Sequence, residues 1–178
     1  MIILFVALRS ELGDEEFGDG VIVVETGVGK VNAAIGAMSA LAKWGNGVRW
    51  VNWGTAGSGV IPGGSIVQCG EFRQADADWR PICPKGHSPF DSEPAVIRGS
   101  GSGVTCWTGD RWESDGPAGV WDCEAWAIAK VARRFGVPFW SWKWVSDSGD
   151  SEEWSEHGPK IGGINAILKR EFGDLGYL

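Results

Sequence analysis

The sequence predicts an α/β fold: a single-domain, three-layer α/β/α arrangement over residues 1–178, with a mostly parallel, twisted central sheet. Two observations indicate this class. Short apolar runs alternate with helix-forming segments along the chain, a pattern typical of parallel sheets covered by helices on both faces. The 178 residues are also 43% hydrophobic and 22% charged, which is the composition and size of one globular domain.

In the first third of the chain, three apolar runs are predicted to be strands, at residues 1–8, 21–25 and 49–53. The Ala-rich segment 31–43 is predicted to be a helix, because Ala has the highest helix propensity and its small side chain packs closely on a sheet. Glycine-rich segments at 26–30 and 54–59 follow two of the strands and are predicted to be loops. Their backbone N–H groups could face a neighbouring strand or an oxygen-rich ligand.

Two further strands are predicted at 65–68 and 104–107. The segment 79–103 lies between them, is rich in proline and glycine and has no sustained hydrophobic period, so it is predicted to be an ordered loop. Near the end of the chain, residues 151–158 form a polar stretch, and 160–172 are predicted to be the last helix.

The segment 120–150 is predicted to form a strand, a helix and a second strand. Residues 125–135 are good helix formers, and Gly136 stands where a helix most easily stops. Residues 139–145 are aromatic or β-branched and are typical of a buried strand. The first strand ends in Asp122, Cys123 and Glu124, and the second in Ser146 and Asp147. Since ligands of α/β sheets bind beyond the carboxyl ends of strands, the sequence predicts an acidic site there.

Charge and cysteine content disfavour several classes of function. The net charge of −7 argues against a nucleic-acid backbone or an anionic membrane as the main partner. The first apolar run is too short to span a bilayer and has no signal-cleavage pattern. Four dispersed cysteines without a CxxC motif suggest a reduced, cytoplasmic protein. Cys83 and His87 have a spacing that could hold a metal, but no second pair accompanies them, so a turn is favoured and no metal is expected.

Seven segments carry a resemblance to a known family when they are taken in order. They read ALRSEL (7–12), TGVGKVNAA (26–34), VNWGTAG (51–57), EFRQADAD (71–78), TGDRW (108–112), WDCEAWAIA (121–129) and VPFWSWKWVSDSGD (137–150). Together they resemble the nucleoside phosphorylase/nucleosidase superfamily, and most nearly its 5′-methylthioadenosine/S-adenosylhomocysteine nucleosidases. The resemblance covers most of the chain except 79–103, where the chain is shorter than typical members.

The resemblance implies hydrolysis of the N-glycosidic bond of a purine nucleoside, without a cofactor. Asp147 is then the general acid at purine N7, so it must carry a proton at working pH, and desolvation in a tryptophan-lined site favours that form. Glu11 is the expected base for the attacking water, and Glu124 is the expected acceptor for ribose hydroxyls. Ser146 is expected to position Asp147.

Further substrate contacts are implied for five residues. Trp112 is expected to stack on the base, and Cys123 stands where the family usually has a methionine beneath the sugar. Thr55 and Gly57 belong to the matching VNWGTAG segment, and Lys143 stands where the nucleosidase branch usually has arginine. Lys143 and Thr55 remain evenly balanced between a role in the site and a purely structural one.

Structural explanations also exist for the carboxylates. Asp147 and Glu124 could each cap a helix, and Glu11 could be an ordinary surface residue. The full constellation favours a role in the site for all three residues, and does so more strongly for Asp147 and Glu124 than for Glu11.

Two other enzymatic functions and one binding function stay open. Phosphorolysis would need arginines that converge on a phosphate, for which Arg9, Arg49 and Arg73 are candidates. A nucleoside-monophosphate nucleosidase could use Lys143 or Arg111 to meet the phosphate. The third alternative is a purine-binding or interaction protein. Family members are commonly homodimers or higher homo-oligomers, and twelve tryptophans are compatible with a subunit interface.

Overall fold

The structure is a computed structural model that describes residues 1–112, 116–157 and 161–173. The strands are β1 (Ile2–Val6), β2 (Val21–Glu25), β3 (Arg49–Gly57), β4 (Ile66–Gln74), β5 (Val96–Arg98), β6 (Val104–Thr108), β7 (Val120–Asp122) and β8 (Phe139–Asp147). The helices are α1 (Lys30–Trp44), α2 (Ala125–Phe135), α3 (Ser151–His157) and α4 (Ile164–Phe172), and a 3-10 turn covers Arg9–Leu12.

All eight strands belong to one sheet. Its order is β2-β1-β3-β7-β6-β4-β5, and β8 pairs with both β3 and β4. Within the described residues, five pairings are parallel and three, β3–β7, β4–β5 and β4–β8, are antiparallel. The predicted mostly parallel sheet is therefore confirmed. It is partly closed, however, because β3, β7, β6, β4 and β8 form a ring of pairings.

Side chains of β1 alternate between two hydrophobic cores, one on each face of the sheet. Ile3 and Phe5 pack into a core that includes the small residues of α1 and several residues of α2. Leu4 and its neighbours two positions away pack into the second core with Ile164 and Leu168 of α4. Both faces of the sheet are thus covered by helices, which is the predicted three-layer arrangement.

The helix α2 has the bounds that the sequence predicts, and its ends have clear physical causes. The Ala125 N–H donates to Oδ2 of Asp122 at 2.8 Å, which satisfies one of the free N–H groups of the first turn. Gly136 adopts the left-handed conformation (φ 68°, ψ 29°), and its N–H bonds back to the last turn. Because β7 leads directly into this helix, Asp122 and Glu124 lie at the carboxyl end of β7 and the start of α2.

Several predicted boundaries are wrong, and strand pairing explains three of them. The predicted loop at 54–59 is strand as far as Gly57, because β3 pairs with β8 up to Asp147. The predicted strand at 65–68 extends to Gln74, where it pairs with β6. The predicted loop at 79–103 contains the short strand β5, which pairs antiparallel with β4.

The polar stretch after β8 is helical, which the sequence did not predict. It forms α3, whose Trp154 is half-buried. The last helix begins at Ile164 rather than at 160, and the predicted start lies outside the described residues. In the part of the chain that the structure describes, no helix combines the length and apolarity needed to cross a membrane.

Candidate active site

One cavity of about 180 Å³ lies at the carboxyl ends of the strands and gathers residues from all seven of the matching segments. Seven of the nine predicted site residues line it, namely Glu11, Thr55, Gly57, Trp112, Cys123, Glu124 and Asp147. Four tryptophans contribute to its wall: Trp107, Trp112, Trp121 and Trp154. Residues far apart in the sequence thus form one acidic, aromatic site.

Glu11 is buried, and four donors fix its carboxylate. Oε2 accepts the N–H groups of Ala7 and Leu8, each at 3.1 Å. Oε1 accepts the N–H of Thr55 at 2.9 Å and its hydroxyl at 3.0 Å. The bend between β1 and the 3-10 turn folds Glu11 back over the end of its own strand, which makes the first two contacts possible. The carboxylate is therefore held in one orientation at the cavity wall, and Glu11 is not an ordinary surface residue.

Asp147 ends β8 and is buried at the cavity wall. Oδ2 accepts the hydroxyl of Ser146 at 2.6 Å, and Oδ1 accepts the N–H of Gly149 at 2.8 Å. Ser146 does not line the cavity, and its contact with Asp147 fits the expected positioning role. Gly57 approaches closely from β3, since a Cβ there would stand 2.7 Å from Oδ1 of Asp147. A glycine at position 57 leaves the room that this carboxylate occupies.

Glu124 faces the cavity from the start of α2 and is almost completely buried. Its Oε1 accepts the N–H of Gly29 at 2.9 Å, so the glycine-rich segment after β2 donates to a side chain of the site. Burial raises the pKa of Glu124 to about 7, and the charge of Asp122 adds to the increase, while Lys143 and the Gly29 N–H oppose it. The carboxyl group therefore changes charge close to neutral pH.

The expectation that Lys143 contacts the substrate is corrected by its position. Lys143 does not line the cavity, and its Nζ forms an ion pair with Oδ2 of Asp122 at 2.7 Å, with both side chains buried. Burial alone would lower the pKa of Lys143, but the charge of Asp122 and further negative groups raise it well above its usual range. Lys143 is therefore a charged, buried partner of Asp122 rather than part of the cavity wall.

Cys123 and Trp112, which are predicted to contact the substrate, both line the cavity. Burial raises the pKa of the Cys123 thiol to about 12, and the charges of Glu124 and Asp122 contribute, so the side chain presents a neutral thiol. Trp112 is half-exposed at the rim, and its indole N–H donates to the Gly149 carbonyl at 2.6 Å. This contact ties the segment after β6 to the segment after β8.

Sequence reasoning missed several residues of the site. The sequence predicts Asp122 in the acidic cluster but no role for it, whereas in the structure it accepts hydrogen bonds from Thr108, Ala125 and Lys143. The sequence gives no sign of Trp154 as a site residue, because the polar stretch around it does not indicate a helix beside the cavity. The wall residue Trp121 begins the matching segment 121–129, and Trp107 directly precedes the matching segment 108–112, which is the one signal that could have suggested them.

The arginines considered for a phosphate site lie elsewhere. None of Arg9, Arg49 and Arg73 lines the cavity. Arg49 packs against Phe172, and Arg73 packs on Trp107 beside Glu71. Arg111 does line the cavity.

The spacing of Cys83 and His87 raises the possibility of a metal site. Among the described residues, no group of three or more His, Cys, Asp or Glu side chains is arranged to hold a metal ion. Cys83 lies in a bend of the chain, with its Sγ 3.5 Å from the His87 carbonyl oxygen.

Known proteins that are similar to this chain indicate the family to which it belongs. No family model matches the chain. The chain is 32% identical over 166 residues to a 5′-methylthioadenosine/S-adenosylhomocysteine nucleosidase from Actinobacillus succinogenes, covering 76% of this chain and 71% of that protein.

Two solved structures from Helicobacter pylori show the same fold. A mutant methylthioadenosine nucleosidase with 5′-methylthioadenosine in its active site superimposes with a TM-score of 0.80 at 20% identity, covering 95% of this chain and 96% of that one. A futalosine hydrolase superimposes with a TM-score of 0.79 at 20% identity, covering 95% of each chain. With the sequence identity to the Actinobacillus protein, these findings show that the chain belongs to the 5′-methylthioadenosine/S-adenosylhomocysteine nucleosidase family of the nucleoside phosphorylase/nucleosidase superfamily.

Proposed function

We propose that this protein hydrolyses the N-glycosidic bond of a purine nucleoside, or of a 5′-modified relative such as 5′-methylthioadenosine, to free base and sugar. The observation that carries the proposal is the arrangement of Glu11, Glu124 and Asp147 around one tryptophan-lined cavity. Breaking this bond builds positive charge on the sugar and negative charge on the departing base. Three carboxyl groups at different places in the cavity can protonate the departing base, bind the sugar and activate the water.

Asp147 acts as the general acid in this proposal and donates a proton to N7 of the base. Ser146 and the Gly149 N–H hold its carboxyl group at the cavity wall. Trp112 offers an aromatic face for the base, and stacking on such a face stabilises binding by roughly 1–3 kcal/mol. Protonation leaves a neutral base, which departs more readily than an anion.

Glu11 orients and deprotonates the attacking water, and Glu124 accepts ribose hydroxyls. The four donors on Glu11 fix the direction in which its remaining lone pairs can meet a water molecule. Glu124 accepts hydrogen bonds from two hydroxyl groups best when it is charged, and its pKa of about 7 makes that form accessible at neutral pH.

Hydrolysis is favoured over phosphorolysis by the position of the arginines. A phosphorylase needs cationic groups around the phosphate, whereas none of the three candidate arginines lines the cavity. A nucleoside-monophosphate nucleosidase is a second candidate, because Arg111 lines the cavity and could meet a 5′-phosphate.

The experiment is a base-release assay with purified protein. Purine and pyrimidine nucleosides, 5′-methylthioadenosine, S-adenosylhomocysteine, futalosine and nucleoside monophosphates are each incubated with and without phosphate, and free base is measured by chromatography. We expect release of one purine without phosphate. Release that requires phosphate would support phosphorolysis, and preference for a monophosphate would support the second candidate. Binding without release of any base would favour a purine-binding protein.

We further propose that the protein acts in the cytoplasm as a homodimer or higher homo-oligomer. Val31, Ile35 and Met38 form an exposed apolar row on α1, and Val28 extends this row to the cavity rim. A row of this kind beside a cavity suits a subunit interface. Light scattering should give a mass of at least two chains, and Ile35→Glu should lower that mass if the row is the interface.

A further inference from the structure

We propose that Trp154 is a positioning residue for the water-activating carboxylate Glu11, and that it acts through the hydroxyl of Thr55. The indole of Trp154, the Thr55 hydroxyl and the Glu11 carboxylate form a continuous hydrogen-bonded chain at the cavity wall. This inference rests on the proposed role of Glu11 in hydrolysis.

The direction of each hydrogen bond in the chain follows from the donor inventory. The indole Nε1 of Trp154 can only donate, and it lies 3.1 Å from Oγ1 of Thr55. The Thr55 hydroxyl has a single proton, and Oε1 of Glu11 is 3.0 Å away and can only accept when charged. Since the indole occupies a lone pair of the hydroxyl, the proton of Thr55 is directed at Glu11.

This arrangement limits the orientations open to both side chains. Without the indole, the Thr55 hydroxyl is free to rotate and to donate to a water molecule in the cavity. Among the described residues, Oε1 of Glu11 would then keep only the Thr55 N–H as a protein donor. The indole therefore holds Thr55 as a donor to Glu11, and leaves the attacking water to be oriented by Glu11 itself.

Trp154 is held in place by the residues that follow the proposed acid. The side chain of Glu153 accepts the N–H and the hydroxyl of Ser148, at 2.8 and 3.0 Å. The Trp154 ring meets Trp112 edge to face, with ring centroids 6.2 Å apart. Because Ser148 directly follows Asp147, one short segment carries both the proposed acid, Asp147, and Trp154, which orients the Thr55 hydroxyl.

Trp154 could act in two ways that a substitution can separate. If Trp154 only packs against the cavity, its aromatic ring is enough, whereas positioning of Thr55 also needs the indole N–H. The Trp154→Phe variant separates the two, because phenylalanine keeps an aromatic ring and has no donor. We expect kcat for base release to fall about three- to tenfold, the effect of one hydrogen bond, while KM changes by less than about twofold. The matched control is Trp44→Phe at the distant end of α1, which should leave both constants unchanged.

A double-variant cycle tests whether the effect passes through Thr55. Thr55→Val removes the hydroxyl, so Trp154→Phe should cause little further loss of kcat in that background. Thr55→Ser keeps the hydroxyl and should lose less kcat than Thr55→Val. If the two losses multiply instead, or if Trp154→Phe raises KM and leaves kcat unchanged, the positioning role is wrong.

A second readout does not depend on turnover. In protein labelled with ¹⁵N-tryptophan, Trp154→Phe identifies the indole N–H resonance of Trp154 by its loss. Thr55→Val should shift that resonance, because its acceptor is removed, and an unchanged resonance would overturn the proposed hydrogen bond. If the wild-type protein released no base, the proposed function would have failed, and the indole resonance would still decide whether the chain of hydrogen bonds exists.

Discussion

The Nζ atom of Lys143 lies 2.7 Å from Oδ2 of Asp122, and both side chains are buried. The two residues lie on β8 and β7, which are not paired with each other among the described residues. Asp122 raises the pKa of Glu124 and Lys143 lowers it. The two residues of the ion pair therefore affect both the stability of the sheet and the pKa of Glu124 in the cavity.

Removal of one partner of this pair should destabilise the protein strongly. Lys143→Met leaves Asp122 charged and buried without its counter-ion, and such changes typically cost about 3–5 kcal/mol of unfolding free energy. Urea unfolding should show this loss, and the added change Asp122→Asn should recover part of it. The control is Arg98→Met, which breaks an exposed pair with Glu71 and should cost less than about 1 kcal/mol. Equal losses in the two variants would contradict a buried ion pair.

The raised pKa of Glu124 should make stability depend on pH in a defined window. The pKa is 4.5 for an unperturbed glutamate and about 7 in the folded protein, so the folded state binds this proton more tightly. The contribution of Glu124 to the unfolding free energy is therefore fully present below pH 4.5 and is lost as the pH rises through about 7.

Glu124→Gln tests this dependence, because glutamine stays neutral at every pH. In urea unfolding between about pH 5 and 8, the variant should gain about 1–3 kcal/mol relative to the wild type as the pH rises. A difference between the two proteins that does not change with pH would show that Glu124 ionises normally.

Cys123 should react slowly with alkylating reagents although it lines the cavity. The thiolate is the reactive form, and with a pKa of about 12 this thiol is almost entirely protonated near pH 8. Timed labelling with iodoacetamide and peptide mapping should show Cys83, which is also a partly exposed free thiol, modified first. Labelling of Cys123 at least as fast as Cys83 would contradict the raised pKa.

Gly57→Ala should impair the proposed acid without unfolding the protein. The added methyl group would stand 2.7 Å from Oδ1 of Asp147, so the carboxyl group must move away from its Gly149 contact. We expect kcat to fall at least about tenfold, with little change in the melting temperature. The control is Gly63→Ala, whose methyl group would meet only the Val145 carbonyl oxygen, at 4.0 Å. Wild-type kcat in Gly57→Ala would show that Asp147 does not depend on this space.

Much of the fold was predictable because its signals are local. The bounds of β2 (Val21–Glu25) and α2 (Ala125–Phe135) follow from apolar runs and from a glycine that stops the helix. The matching segments also carry Glu11, Glu124 and Asp147, and all three residues line one cavity.

The remaining features depend on contacts between distant segments. The end of β3 resembles a glycine-rich loop and becomes strand only because β8 lies beside it. The orientation of Lys143 could not be predicted, because its partner Asp122 lies on β7, a strand that is not paired with β8 among the described residues. Likewise, nothing in the sequence around Trp154 indicates that its indole reaches Thr55, which is 99 residues away.

The most direct test of the account is base release by Asp147→Asn in phosphate-free buffer, using the best substrate of the wild-type protein. Asparagine preserves the shape of the side chain and has no acidic proton to give, so turnover should fall about 10²–10⁴-fold while the ligand still binds in a thermal-shift assay. Asp19→Asn, a surface change of the same kind, should keep full activity. Full turnover by Asp147→Asn would contradict the assignment of the general acid and the mechanism built on it.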